Sequence, residues 1–241
     1  MIKRSLDIVA SLGGIVLLAP LFGAVALAVK LTSGGPVFYR QVRLGRHGRP
    51  FRILKFRSMV DGAESRGTRV TRSGDERVTS VGRFLRRHKI DELPQLFNVL
   101  RGDMSLVGPR PEVPEFAAHY PEEFCRLLIV RPGITHRATQ LFRQEEDILG
   151  KAQDPHRFYV EKILPRKLAI YLADLDRTTL VDDLRTILGT VFDSGTSIEI
   201  ELLSNDVARA DAATPAETWL TTIGGEAAPP RRERSVSSSL L

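Results

Sequence analysis

Residues 8–29 read IVASLGGIVLLAPLFGAVALAV, 22 positions without a formal charge. At ~1.5 Å per residue a straight helix of this length reaches about 33 Å, enough to cross the hydrocarbon core of a bilayer. Three architectures compete for it: a cleaved signal peptide, a single spanning helix, and a re-entrant helix that enters and leaves on one face. Lys3 and Arg4 supply the basic start of a signal peptide, and Ala26 and Ala28 suit a cleavage site. Against that reading, Asp7 interrupts the basic segment and the apolar run is long for such a peptide. The flanks bear on the other two. Lys3 and Arg4 stand on one side, and Lys30, Arg40, Arg43, Arg46, Arg49, Arg52, Lys55 and Arg57 follow on the other. Positive charge stays cytoplasmic, so a spanning helix breaks that rule on one side and a hairpin on neither. Pro20 removes one backbone donor and crowds the preceding turn. It either turns the helix back or only kinks it, and these residues leave both open.

Working outward, the charge is concentrated next to this segment. Residues 30–110 hold 18 Lys and Arg against 7 Asp and Glu, a local net of +11 in a chain of +6, so the remainder carries −5. Such a block predicts an anionic partner: nucleic acid, phospholipid headgroups or a phosphorylated substrate. The 241 residues suffice for one domain with a real core. An apolar share of 42% excludes wholesale disorder. Mean hydropathy of −0.10 excludes a polytopic membrane protein. One cysteine, Cys125, excludes a disulfide framework and any multi-cysteine metal site. It sits in an apolar helical stretch and reads as a core residue. The five histidines show no metal spacing and read as surface residues.

Val37–Leu44 and Phe51–Met59 are rich in β-branched and aromatic residues and flank GRHGRP, which predicts a β-hairpin. Residues 61–78 read as a loop with room for short helical turns. Val81–Lys89 reads as a helix capped by Thr79 or Ser80. Asp91 is placed as the N-cap of a helix that carries Leu93, Leu96, Phe97 and Leu100 and ends at Gly102. Ser105–Pro114 reads as an ordered loop whose prolines hold Arg110. Helices are expected at 121–130, 145–152, 157–164, 167–176 and 180–192. From residue 204 the composition shifts to Ala, Ser, Thr and Pro, and 204–241 is expected to be a disordered tail.

Asp91-Glu92 is an acidic pair inside the basic block, close to Arg83, Arg86, Arg87, Lys89, Arg101 and Arg110. A carboxylate among cations has a lowered pKa and stays ionised. It then serves as a nucleophile or binds a hard cation such as Mg²⁺. The plainer reading is an N-cap with a surface ion pair, and on this segment alone that reading is favoured. No P-loop, GxGxxG, HExxH or GxSxG is present.

KFRSM (55–59), IDELPQLFNVLRGDMSLVGPRPE (90–112) and RPGIT (131–135), with KRSLDIVAS at the start and DLRTILGTV late in the chain, resemble the bacterial sugar transferase family. These are the monotopic polyprenyl-phosphate phosphoglycosyltransferases. The likeness covers roughly residues 2–192 and is that of the short, single-anchor form. It implies an α/β protein: a mostly helical catalytic domain with a small β-hairpin, over 34–203, behind a re-entrant membrane helix at 1–33. It also implies transfer of a sugar-1-phosphate from a UDP-sugar to undecaprenyl phosphate, with release of UMP. On the family pattern Asp91 is the nucleophile with Mg²⁺ beside it, and Glu92 orients groups or handles a proton. Lys55, Arg86 and Arg110 match basic active-site positions, Asp183 matches a late carboxylate, and Arg57 and Arg143 join them as substrate-binding candidates.

The same resemblance places the protein at the cytoplasmic face of a bacterial inner membrane, among membrane lipids, and leaves a homodimer open. Ala19-Pro20 stands where the family commonly has Ser-Pro. The segment after RPGIT, with Arg143, Glu145 and Glu146, looks like a variant branch, which bears on the sugar and not on the reaction. The competing function is a membrane-anchored basic module that binds anionic lipid or nucleic acid without chemistry. Few aromatics interleave with the arginines, so single-stranded nucleic acid is not expected as a partner.

Overall fold

The computed structural model describes residues 2–67, 70–175 and 179–192. The expected tail at 204–241 and the end of the expected catalytic domain lie outside the described residues. The first element, α1 (Ile2–Thr32), is followed by an antiparallel hairpin, β1 (Phe38–Leu44) and β2 (Pro50–Phe56). Its register runs from Phe38 opposite Phe56 to Leu44 opposite Pro50. Then come α2 (Ser80–Arg87), α3 (Gln95–Arg101), β3 (Ser105–Val107), α4 (Pro114–Ala117), α5 (Pro121–Leu127), β4 (Gly133–Thr135), α6 (Arg137–Leu141), α7 (Glu145–Lys151), α8 (Pro155–Phe158), a π-helical turn at Tyr159–Ile163, α9 (Leu164–Asp174) and α10 (Leu180–Phe192). This is a mostly helical domain with two small sheets behind one long apolar helix.

Helix α1 is long and apolar enough to cross a membrane. It runs through Pro20 without interruption, so no turn separates its halves. Pro20 has no backbone N–H to donate, so the helix forgoes one hydrogen bond there. Its two ends nevertheless dock on the same domain. At the start, Arg4 donates to carbonyls in the last turn of α3, Val99 O at 2.7 Å and Leu100 O at 3.2 Å. Asp7 is buried and accepts from Ser105 Oγ at 2.8 Å and Leu106 N–H at 3.1 Å. Midway, Gly14 backs onto Leu96 of α3. Towards the far end, Phe22 meets Phe56 edge-on at 5.5 Å, and Val25 and Val29 pack with Phe56 and Leu85. One stripe at helical spacing thus faces the domain along the whole helix. The opposite face leaves Ile2, Leu6, Val9, Leu12, Val16, Leu17, Leu27 and Leu31 exposed.

The segments around the two proline-glycine motifs form one knot that the sequence reading left as loops. Strands β3 and β4 pair in parallel, Ser105 with Gly133 and Val107 with Thr135. Gly133 N–H donates to Pro109 O at 2.8 Å, and Gly108 N–H to Thr135 O at 3.0 Å. The backbones cross so tightly that a Cβ on Gly133 would lie 2.1 Å from Gly108 N, so only glycine fits. Asn98 ties α3 to β2, accepting from Leu54 N–H at 2.9 Å and donating to Arg52 O at 2.8 Å. The main core is built from α4 to α9 and includes Phe116, Phe124, Leu127, Phe142, Ile148, Ile163, Leu164 and Leu168.

Two sequence expectations are corrected here. Cys125 is exposed, because α5 turns Phe124 and Leu127 inward instead. His136 is buried, and burial lowers its pKa to about 4. It is therefore neutral at pH 7, and its Nδ1 accepts from Ala138 N–H at 3.1 Å to cap α6.

Replacing Asp7 with alanine strands a buried hydroxyl and a backbone N–H. The expected loss is on the order of 2 kcal/mol in denaturant unfolding of detergent-solubilised protein, with Asp7→Asn, which keeps one acceptor, losing less.

Candidate active site

Helix α2 starts at Thr79, whose hydroxyl accepts from Gly82 N–H at 2.9 Å, and it presents Arg86 near its end. Lys89 then adopts a left-handed backbone, φ +56°, which reverses the chain into a single turn at Ile90–Glu92. Asp91 and Glu92 sit on that turn and both are buried. Asp91 does not cap α3, which corrects the sequence expectation: α3 begins at Gln95 behind Pro94, with no side-chain cap. The turn takes up the first backbone hydrogen bonds instead, Leu93 N–H donating to Ile90 O at 3.2 Å.

The two carboxylates are treated very differently. Glu92 receives Lys55 Nζ at 2.7 Å on Oε1, and Arg110 donates to both its oxygens, at 2.6 and 3.1 Å. Asp91 Oδ1 is buried with no hydrogen-bond partner. Burial raises the pKa of Glu92, but Arg110 and Lys55 outweigh it and hold the carboxyl well below the ordinary range. Burial, followed by repulsion from Glu92, pushes Asp91 above the ordinary range, against the pull of Lys55, Arg86 and Lys89. The expectation that cations lower Asp91 is therefore reversed: the nearest cations are committed to Glu92. Burial likewise lowers Lys55, against the pull of Glu92.

The pair opens onto a small polar cleft. Arg86 and Lys89 come to it from α2 and the turn, Arg110 from the loop after β3, Arg143 from the α6–α7 junction and Lys167 from α9. Glu145 and Glu146 come from α7. Arg86 is paired with Glu146 at 2.6 Å, and Lys167 with Glu145. Five cations therefore face four carboxylates across the lining. A diphosphate entering it would tip the balance negative, a charge that a divalent cation offsets. No group of three or more His, Cys, Asp or Glu that could hold a metal occurs among the described residues. Mg²⁺ does not need one, since it keeps waters and takes one or two carboxylates together with substrate phosphates. The orphaned Asp91 oxygen has the chemistry for that role.

The bacterial sugar transferase family model matches residues 1–194. The chain belongs to that family. It is 40% identical over 200 residues to a UDP-glucose:undecaprenyl-phosphate glucose-1-phosphate transferase of Caulobacter vibrioides, covering 78% of this chain and 68% of that one. It is 50% identical over 137 residues to a UDP-N-acetylgalactosamine-undecaprenyl-phosphate N-acetylgalactosaminephosphotransferase of Aeromonas hydrophila, covering 56% of this chain and 32% of that one. A Salmonella typhimurium undecaprenyl-phosphate galactose phosphotransferase is 41% identical over 150 residues, covering 56% and 31%. The chain thus spans about a third of the length of the Aeromonas and Salmonella relatives.

Of the residues expected at the site, Asp91, Glu92, Arg86, Arg110 and Arg143 line the cleft, and Lys55 reaches Glu92 from β2. Arg57 and Asp183 are not among the lining residues. Arg57 is buried and donates to Ser33 O and Oγ at 2.8 and 2.9 Å, fastening the end of α1 to the hairpin. Asp183 pairs with Lys3 across α10 and α1.

Four residues escaped the sequence reading. Arg43 donates to Pro111 O at 2.9 Å and pairs with Glu112 at 3.5 Å, and Tyr159 OH donates to Glu112 at 2.6 Å. These contacts brace the loop that carries Arg110. The fourth is Lys167, on α9. Glu112 closes the GPRPE motif and Arg43 belongs to the basic run after the apolar segment, which were the available signals; Tyr159 and Lys167 carry none.

Adjacent positions and the same chemical change should give opposite stabilities. Asp91→Asn relieves a buried charge and raises the melting temperature at pH 7 by a few degrees. The raised pKa means that this gap closes as pH falls below the ordinary aspartate range and opens as pH rises above it. Glu92→Gln leaves Lys55 and Arg110 unpaired and lowers stability by on the order of 3 kcal/mol. Thermal unfolding of both variants across pH checks this.

Proposed function

We propose that this protein transfers a sugar-1-phosphate from a UDP-sugar to undecaprenyl phosphate, releasing UMP, in two displacements through a phosphosugar-aspartyl intermediate. The observation that carries the reading is the unpartnered, buried Asp91 oxygen in a cleft walled by cations. In the first displacement an Asp91 carboxylate oxygen attacks the phosphorus that bears the sugar. A P–O bond forms as the bond to the UMP oxygen breaks, and UMP leaves with that electron pair. In the second, an oxygen of the lipid phosphate attacks the same phosphorus and the Asp91 carboxylate departs. Neither step needs a proton taken from the nucleophile, provided that Asp91 attacks as the carboxylate.

Arg86, Lys89, Arg110 and Arg143 offset charge on the phosphoryl oxygens and orient the diphosphate. Glu92, gripped on both oxygens by Lys55 and Arg110, holds those cations in place and is a poor proton carrier at pH 7. Its role here is positioning, the first of the two options left by the sequence. Mg²⁺ would be held at Asp91 together with substrate phosphates and would supply electrostatic stabilisation of the diphosphate.

Helix α1 is packed along its length on a domain that also carries this charged cleft, which favours lying in the membrane surface over crossing it. Its exposed apolar face then enters the lipid, while Lys3, Arg4 and Lys30 keep both ends on one side. We place the cleft at the cytoplasmic face of a bacterial inner membrane, where a lipid phosphate is within reach. The anchor 1–33 and the catalytic domain that follows are, on this reading, one working unit.

The test is UMP release by detergent-solubilised protein with undecaprenyl phosphate, Mg²⁺ and a panel of UDP-sugars. Wild-type protein is expected to release UMP, EDTA to abolish release and Mg²⁺ to restore it. Asp91→Asn is expected to lose about 10³-fold or more. Near-normal release from Asp91→Asn would remove the nucleophile assignment. No release from any donor by folded, membrane-bound protein would favour a binding module without chemistry.

A further inference from the structure

Two of the cleft's carboxylates are not explained by phosphate chemistry. Glu145 and Glu146 stand side by side at the start of α7, in a lining otherwise suited to a diphosphate. An anionic side chain is repelled by phosphate oxygens, yet the fold supports Glu145 at some expense. Lys167 lies beneath it with its side chain only 3% exposed, and its ammonium is paired to Glu145 Oε2. The same ammonium lies 5.6 Å from the centre of the Phe142 ring and 5.2 Å from that of Tyr159. Burying a lysine in this way is costly unless it is paired. Lys167 is therefore committed to Glu145 and is a poor candidate for gripping the ligand.

The accessible member of the pair is the carboxylate, with its side chain 26% exposed. Burial raises the Glu145 pKa, but Lys167 and then Arg110 outweigh it, so the group stays ionised among three other carboxylates. An ionised carboxylate only accepts hydrogen bonds. Within a UDP-sugar, the diphosphate offers only acceptors to it, whereas donors come from the hydroxyls of the transferred sugar and from the nucleoside's ribose and uracil N3–H, two sources that binding of UDP alone tells apart. One oxygen of Glu145 is taken by Lys167, which leaves Oε1 and the outer lone pairs for such donors.

Resting on the transferase reading above, we propose that Glu145, propped by Lys167, is a specificity-determining residue that accepts hydrogen bonds from hydroxyls of the sugar being transferred. The cleft is then divided by charge. The diphosphate lies with Arg110, Lys89 and Asp91, and the sugar turns towards α7. Glu146 is engaged by Arg86 at 2.6 Å and is not assigned this task.

The experiment compares wild type, Glu145→Gln and the charge-balanced double variant Glu145→Gln/Lys167→Met, each checked for folding by thermal unfolding. The double variant keeps the test open if an unpaired Lys167 unfolds the single one. Equilibrium binding is measured for UDP, UDP-glucose and UDP-galactose, and UMP release for the two sugar nucleotides. The expected result is UDP affinity within about twofold of wild type. Affinity for the preferred UDP-sugar falls about 10- to 100-fold, the range for losing a hydrogen bond to a charged group. The wild-type ratio of kcat/KM between the two epimers moves towards one. Equal losses for UDP and UDP-sugars, or an unchanged epimer ratio, overturn the proposal. Failure of the underlying reading looks different: wild-type protein would then bind UDP without releasing UMP from any sugar nucleotide.

Discussion

The grip of Lys55 and Arg110 on Glu92 is the interaction on which the rest of the site depends. Two adjacent buried carboxylates repel each other, and only one can be neutralised well by the cations within reach. Here it is Glu92, which takes three hydrogen bonds from two cations. Oδ1 of Asp91 is left buried and unpartnered. The partition is enforced from outside the turn. Lys55 comes from β2, so the hairpin must be formed. Arg110 comes from the loop after β3, which is held by the Gly108–Gly133 crossing, by Arg43 and, through Glu112, by Tyr159. Each of these contacts is distant in sequence from the pair it governs, and together they make Asp91 a high-energy carboxylate in a folded protein. On the proposed mechanism that condition suits a nucleophile, because the energy is recovered when it forms a bond.

Helix α1 belongs to the same construction. Arg4 holds the far end of the helix whose start follows the acidic pair, and Asp7 holds β3, next to the loop that bears Arg110. The apolar helix is therefore a wall of the domain as well as, on the proposed reading, its contact with lipid. Its inward stripe is mixed, with Arg4, Asp7 and Ser11 at one end and Phe22, Val25 and Val29 at the other. That distribution explains why uniform hydropathy suggested only a membrane segment: the stripe is defined by what it touches, not by composition.

Much of the architecture was legible. The hairpin follows from β-branched and aromatic runs around a glycine-rich turn, α2 from its cap and α10 from its apolar spacing. The acidic pair, Arg86, Arg110 and Lys55 stood out because motifs of unusual specificity contain them. What escaped depends on tertiary context. Three-residue strands such as β3 and β4 leave no periodic signal. Asp91 resembles an N-cap in sequence, and only the left-handed Lys89 and the turn it starts show otherwise. The direction of its pKa shift could not be read from a count of nearby arginines, since those cations were already engaged. Lys167 looks like any helical lysine until α9 is packed against α7. Cys125 and His136 were misplaced for the same reason: the phase of a short helix against the core is set by its neighbours.

The central claim is that Asp91, set apart by the grip on Glu92, accepts the phosphosugar. The most direct measurement is the intact mass of the protein after incubation with its UDP-sugar and Mg²⁺ in the absence of lipid acceptor, followed by peptide mapping. The account predicts a mass gain equal to one sugar phosphate, located on the peptide containing Asp91 and discharged when undecaprenyl phosphate is added. An adduct on another residue, or UMP release in the presence of acceptor with no adduct detectable in its absence, would contradict it.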